Sequence, residues 1–172
     1  MSMFPDPRRI VTGHDDEGYA IVVADSQIPC VPVRVNCNFA ELYQTREFPA
    51  SNDKWEDPMA QGTESLANAN GIVLRVVDFK PNTETMLHRT ESLDFGLVFE
   101  GEMVCVLENG VETTVRAGDV CVQRGTMHAW HNRTDKPARI YFFLSAAKPV
   151  TIGDKVLGTT GFTPKEVEVP KN

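Results

Sequence analysis

The sequence predicts an all-β domain, a barrel or a sandwich, on three observations. Short segments rich in Val, Ile, Phe, Leu and Thr follow one another at regular spacing between residues 71 and 147. Gly, Pro, Asn and Asp separate them, and these are the residues that turns demand. No helical stripe of comparable length appears in the chain. Residues 71–79 (GIVLRVVDF) open the series. Residues 94–100 (DFGLVFE) alternate, so Asp94, Gly96, Val98 and Glu100 share one face and Phe95, Leu97 and Phe99 form an opposite, apolar one. Gly101 is free to take positive φ and turns the chain into residues 102–108. Asn109-Gly110 signals a tight type I′ hairpin into residues 111–116. Ala117-Gly118-Asp119 is a further turn before the short strand 120–123, and residues 138–145 (ARIYFFLS) close the series.

Two more strands are expected upstream, at 19–24 (YAIVVA) and 38–45 (NFAELYQT). The polar stretch 48–70 carries Pro49, Pro58 and Gly62, and a connection of that length in a small domain is usually functional. With Phe48, Trp55 and Met59 as apolar anchors, it is expected to be an ordered lid or an arm that packs on a partner subunit. The organisation is therefore one structural domain: N-terminal strands and arm over 1–70, barrel over 71–147, and a surface tail over 148–172.

Composition bounds the function. The 172 residues are 41% hydrophobic and 24% charged, the balance of a globular chain. Seventeen Lys and Arg against 24 Asp and Glu leave a net charge of −7. An acidic surface repels phosphate backbones and anionic lipid, so neither nucleic acid nor a membrane is an expected partner. No apolar run approaches the roughly 18 residues of a membrane span. Arg8 and Arg9 precede no apolar core of a secretion signal, so a cytoplasmic, reducing setting is expected. Cys30, Cys37, Cys105 and Cys121 should then be free thiols, with Cys105 and Cys121 acting as small buried hydrophobes.

Chemistry concentrates around two of the four histidines. In residues 86–94 alternation puts His88 and Thr90 on one face and Arg89 on the other. Asp94 then begins an apolar strand with small residues on its side, which suggests a cavity. In residues 127–132 His128 and Trp130 face one way and His131 the other. A histidine beside an aromatic suits a small-molecule pocket. His14, within Gly13-His14-Asp15-Asp16-Glu17, is expected in solvent, and Arg124 either lines the pocket or sits in a solvated turn.

These residues carry a resemblance. Residues 71–147 resemble a conserved-barrel cupin, a small β-barrel of the jelly-roll type. The family's first motif, His-x-His followed by Glu and then Gly, is met here by His88, Thr90, Asp94 and Gly101. Its second motif, a Gly-Asp turn, a Pro-Gly pair and a His followed by Asn, is met by Gly118-Asp119, Arg124-Gly125, His128 and Asn132. Over its full length the chain resembles small single-cupin proteins of fungi and bacteria.

The resemblance implies one divalent metal (Fe, Mn, Ni or Zn), which such cupins hold with three His and one Glu. Here Thr90 replaces a His and Asp94 the Glu. That leaves His88, Asp94 and His128, a two-His-one-carboxylate set like that of non-haem iron sites. Asp reaches one methylene less far than Glu, and alternation turns Glu91 away. With no metal, the same residues suit proton transfer, because burial raises an Asp pKa and shifts that of a His. His128 and Asp94 would exchange the proton, His88 would polarise a carbonyl, and Thr90, Val98, Trp130 and Arg124 would line the substrate pocket.

Three functions stay open on this reading. One is a lyase or isomerase performing decarboxylation, dehydration or cyclisation on an oxygenated aromatic or polyketide-like substrate. Another is an Fe(II)-dependent dioxygenase built on His88, Asp94 and His128. The third is a barrel that only binds a small molecule. The apolar outer face of Phe95, Leu97 and Phe99 predicts a homodimer.

Overall fold

A computed structural model describes residues 3–63 and 65–169. Its strands in chain order are β1 (Arg8–His14), β2 (Ala20–Gln27), β3 (Val31–Pro32), β4 (Cys37–Gln44), β5 (Ile72–Phe79), β6 (Thr83–Glu84) and β7 (Ser92–Glu100). They continue as β8 (Glu102–Leu107), β9 (Glu112–Arg116), β10 (Val120–Arg124), β11 (His128–Asn132), β12 (Ala138–Ala146), β13 (Val150–Ile152) and β14 (Lys155–Leu157), before one helical turn, α1 (Pro164–Val167). A six-stranded sheet in the order β10-β7-β12-β5-β4-β3 faces a four-stranded sheet in the order β6-β11-β8-β9. This is the two-sheet jelly roll. Among the described residues no helix is long and apolar enough to cross a membrane.

The expected alternation holds along β7. Asp94, Gly96 and Val98 are buried, whereas Phe95, Leu97 and Phe99 are exposed. Between the sheets lies the main core, with Val73, Val77, Phe79, Met103, Trp130, Ile140 and Phe142. A second cluster of Cys30, Ala40, Leu42 and Val76 forms on the outer side of the six-stranded sheet, against the N-terminal segment.

Three local features differ from the sequence reading. The polar-looking start of the chain forms β1, which pairs with β2 in a two-stranded hairpin. The turn at Asn109-Gly110 is a three-residue loop closed by the Leu107 N–H to Val111 O bond at 2.8 Å, not a type I′ turn. Gly110 alone takes positive φ there, and the Asn109 side chain accepts the Val111 N–H at 3.2 Å. A type I′ turn would need positive φ at both central residues.

Two segments outside the barrel shape the site: the long connection, ordered as the sequence predicts, and the tail, which is the third difference. The stretch after Gln44 packs on the barrel: Gln44 Nε2 donates to Pro58 O and Gly62 O, and Asn68 Nδ2 donates to Gln44 Oε1 and Thr45 O. The C-terminal tail begins on the surface as expected, with the small β13–β14 hairpin, and then turns inward. Arg89 and Thr160 exchange backbone hydrogen bonds of 2.8 and 3.0 Å, and Val167 is buried. Gly161 makes this possible: its φ is +106°, and a Cβ on it would lie 2.5 Å from the His88 Cβ. Residues 170–172 of the expected tail lie outside the described residues.

Candidate functional site

One end of the space between the sheets holds a cavity lined by residues of both sheets. Its walls are mainly apolar. Phe39, Val77, Phe142 and Leu144 come from the six-stranded sheet, Leu66 from the long connection, and Phe162 from the C-terminal strap. Sequence reading anticipated neither Leu66 nor Phe162 there, because both reach the barrel from outside it.

Backbone pairing places the polar groups. His88 and His128 exchange N–H···O bonds of 2.9 and 3.0 Å, which makes them directly opposed cross-strand neighbours. Their rings meet with centroids 4.3 Å apart, and Phe162 covers His88 at 4.6 Å. His88 Nδ1 lies 3.2 Å from Met86 O, and His128 Nδ1 lies 2.9 Å from Thr126 O. A carbonyl only accepts, so each Nδ1 carries the hydrogen and each Nε2 is left as a lone-pair acceptor. Burial lowers both imidazole pKa values; for His88, with His128 beside it, to about 3. Two neutral acceptors follow. In that tautomer His88 cannot donate to a carbonyl, which changes the role the sequence suggested for it.

Asp94 sits across the sheet from Gln123, one strand over. Both are buried on the inner face. Thr90 Oγ1 donates to Asp94 Oδ2 at 3.4 Å, and Ser92 Oγ donates to Thr90 Oγ1 at 2.6 Å. Burial pushes the Asp94 carboxyl up to about 6, against the opposing pull of Ser92, Thr90 and the Arg75 charge. A carboxyl so poised can gain or lose a proton near neutrality.

Of the residues singled out by sequence, His88, Thr90, Asp94, His128 and Trp130 all line this cavity. Val98 and Arg124 do not. Val98 is fully buried deeper in the core, and Arg124, one position past Gln123 on β10, projects from the opposite, exposed face. Glu91 is also outside, accepting the Thr159 N–H. His131 is half-buried, with Nε2 3.2 Å from Thr85 O, and His14 is exposed. Gly96 opens no extra space: a Cβ there would lie 2.9 Å from the Phe142 ring, which fills the room.

Sequence reading missed two polar residues of the cavity, Arg75 and Gln123. A lone arginine inside the apolar run GIVLRVVDF was the available signal. Several buried polar atoms at this cavity have no hydrogen-bond partner among the described residues: Arg75 Nε and Nη1, Asp94 Oδ1, Gln123 Nε2 and Oε1, and Trp130 Nε1. Each such atom costs about 1–3 kcal/mol unless something meets it. The metal expectation fares less well. Among the described residues no three His, Cys, Asp or Glu side chains come together to hold an ion, so His88 and His128 lack a convergent third ligand.

A sequence model described as the Cupin domain matches residues 75–144. Phomopsin biosynthesis cluster protein C′ of Diaporthe leptostromiformis is 35% identical over 162 residues, covering 88% of this chain and 85% of its own. The cupin-domain-containing oxidoreductase virC of Hypocrea virens is 37% identical over 169 residues, covering 90% and 86%. Oryzines biosynthesis cluster protein J of Aspergillus oryzae is 35% identical over 164 residues, covering 90% and 91%. Among solved structures, the Cnp3 cupin domain of Schizosaccharomyces pombe superposes with a TM-score of 0.52 at 15% identity, over 83% of this chain and 89% of that one. That likeness is one of fold.

Proposed function

The chain belongs to the cupin family, and from that premise we propose that it is a small-molecule enzyme of secondary metabolism that works by proton transfer. The relatives' names, two from biosynthesis clusters and one an oxidoreductase, support the setting. The observation that carries the chemistry is Asp94: a buried carboxyl with one unpartnered oxygen, at the polar end of an otherwise apolar cavity.

The reaction class is that of a lyase or isomerase acting on an oxygenated, aromatic or polyketide-like molecule. Asp94 takes a proton from carbon next to a carbonyl and returns it elsewhere, and Thr90 and Ser92 hold its other oxygen in place. His88 and His128 offer Nε2 to a substrate hydroxyl and orient it. Trp130, Phe142 and Phe162 exclude water, which keeps the Asp94 proton affinity high. Moving hydrogen between adjacent carbons oxidises one as it reduces the other, so an isomerase of this kind needs no external electron acceptor. Among the described residues no third ligand converges with the two imidazoles, so the proposed proton transfer uses side chains alone. The chain would act in a reducing cytoplasm, where its free cysteines persist. It would pair as a homodimer through the exposed face of Phe95, Leu97 and Phe99, which sedimentation of the parent against Leu97→Lys tests.

The experiment is deuterium exchange. Candidate aromatic and polyketide carbonyl compounds are incubated with the protein in D2O, and carbon-bound deuterium is read by NMR. Exchange that falls by about 100-fold or more in Asp94→Asn supports the proposal. Binding without exchange by any candidate would make the barrel a carrier instead. One equivalent of iron in purified protein, lost in His88→Ala and accompanied by oxygen uptake, would install the dioxygenase reading.

A further inference from the structure

We infer that the substrate carries a carboxylate, and that Arg75, Gln123 and Trp130, which line the cavity, form its seat. The inference rests on the proposed function only in sharing its cavity.

Arg75 is 1% exposed, in the middle of β5 on the inner face. Its guanidinium lies over the Phe39 ring at 5.2 Å, and only Nη2 is engaged, with Ser65 O at 3.1 Å and Glu41 Oε1 at 3.3 Å. Glu41 does not line the cavity, and Thr63 Oγ1 donates to the same Oε1, so that carboxylate is shared. Arg75 Nε and Nη1 keep hydrogens that no atom of the described residues accepts. Gln123 is 3% exposed and has neither amide atom paired; Trp130 is 2% exposed with Nε1 unpaired.

Donors therefore outnumber acceptors among the orphaned atoms, and one donor bears a full positive charge. A neutral carbonyl offers one oxygen with two lone pairs, too few for these donors, and Glu41 meets the guanidinium through Nη2 alone. A carboxylate offers several lone pairs and a charge, the partner that guanidinium groups are built to take. The remaining acceptors, Gln123 Oε1, Asp94 Oδ1 and the Nε2 atoms of His88 and His128, suit hydroxyl groups of the same molecule. Around this seat the walls are Phe142, Leu144 and Phe162, so the rest of the molecule is apolar.

Matched probes test this: benzoate, phenylacetate and hexanoate against their uncharged amides, each titrated by calorimetry up to about 10 mM. The expected result is that at least one carboxylate binds and its amide binds about tenfold more weakly or not at all. Gln123→Met, chosen because it keeps volume and needs no loss of charge, should weaken the carboxylate several-fold while circular dichroism stays that of the parent. Arg75→Met should erase the preference for the carboxylate. Equal binding of acid and amide, binding of none of the six probes, or an unchanged affinity in Gln123→Met would each overturn the inference. Asp94→Asn separates the two claims. It should keep or improve carboxylate binding even as it stops deuterium exchange; exchange surviving in Asp94→Asn removes the proton-transfer reading and leaves the seat standing.

Discussion

Arg75 and Arg139 lie on opposite faces of one sheet, both almost wholly buried, and their surroundings differ sharply. Arg139, on β12, stands directly across from Asp78 on β5. It donates Nε and Nη2 to the two Asp78 oxygens at 2.6 and 2.8 Å, and Nη1 to Pro5 O at 2.8 Å, with Phe4 beneath the guanidinium at 5.0 Å. Burial works against that charge, but the Asp78 bonds and charge outweigh it and the pKa is raised. Arg75 leaves two of its three nitrogens, Nε and Nη1, idle, and there burial wins: its pKa is lowered despite Glu41 and Asp94. A buried arginine that is fully met by its own chain fastens the N-terminal segment to the barrel. The other keeps two nitrogens unpaired at a cavity wall, which is what the proposed carboxylate would meet.

That contrast can be broken in several ways. The largest effect should be on chemistry at the unsatisfied end: Asp94→Asn is expected to lower exchange by about 100-fold or more, measured with whichever carbonyl compound the parent exchanges. Stability should single out the other end. Arg139→Met leaves Asp78 buried without its partner and should cost about 3–5 kcal/mol in urea unfolding. Arg75→Met strands Glu41 as well, but it breaks one 3.3 Å contact to a carboxylate that keeps the Thr63 hydroxyl, so its cost should be the smaller of the two. Equal losses would erase the distinction between the two arginines.

A smaller effect concerns pH. The folded chain holds the Asp94 proton to about pH 6, against an ordinary value of 3.8. Native stability therefore declines as pH rises through that window and is flat above it. His88 acts oppositely. Held at about 3 instead of 6.5, it contributes stability that is complete above the unfolded value and is lost on acidification. The two slopes oppose each other in the parent. Asp94→Asn keeps only the histidine slope, so it should lose stability more steeply on going from pH 6 to about 4. Relative to the parent, it should gain on the order of 2–3 kcal/mol across that window as pH rises. Parallel curves for the two proteins would show that Asp94 is not the buried acid described here. The smallest effect belongs to a third arginine. Arg133 forms an equally bidentate pair with Glu112, at 2.6 and 2.7 Å, but in solvent; Arg133→Ala should leave the urea midpoint unmoved.

Much of the site was legible because alternation is local. Which way His88, Thr90, Asp94, His128 and Trp130 point follows from period two along short strands. The same rule carries Arg124 outward, since it follows the inward Gln123. Arg75 escaped notice for a related reason. Strand β5 is covered on both faces, so its run of apolar residues does not say which face meets a cavity and which meets the N-terminal segment. Leu66 and Phe162 had no local signal, since each is brought to the cavity by a segment whose path depends on distant partners.

By itself the sequence determined the all-β class, the strand faces and the cupin motif positions, because side-chain alternation and turn chemistry act over a few residues. Tertiary structure alone decided that a strap from the C-terminus closes the barrel, that Asp94 and Gln123 stand opposite each other, and that Arg139 is satisfied while Arg75 is not. Hydrogen-bond satisfaction of a buried group is a property of everything around it. Arg139 meets Asp78, which is 61 residues away in the chain, while the partners of Arg75 stop short of its last donors.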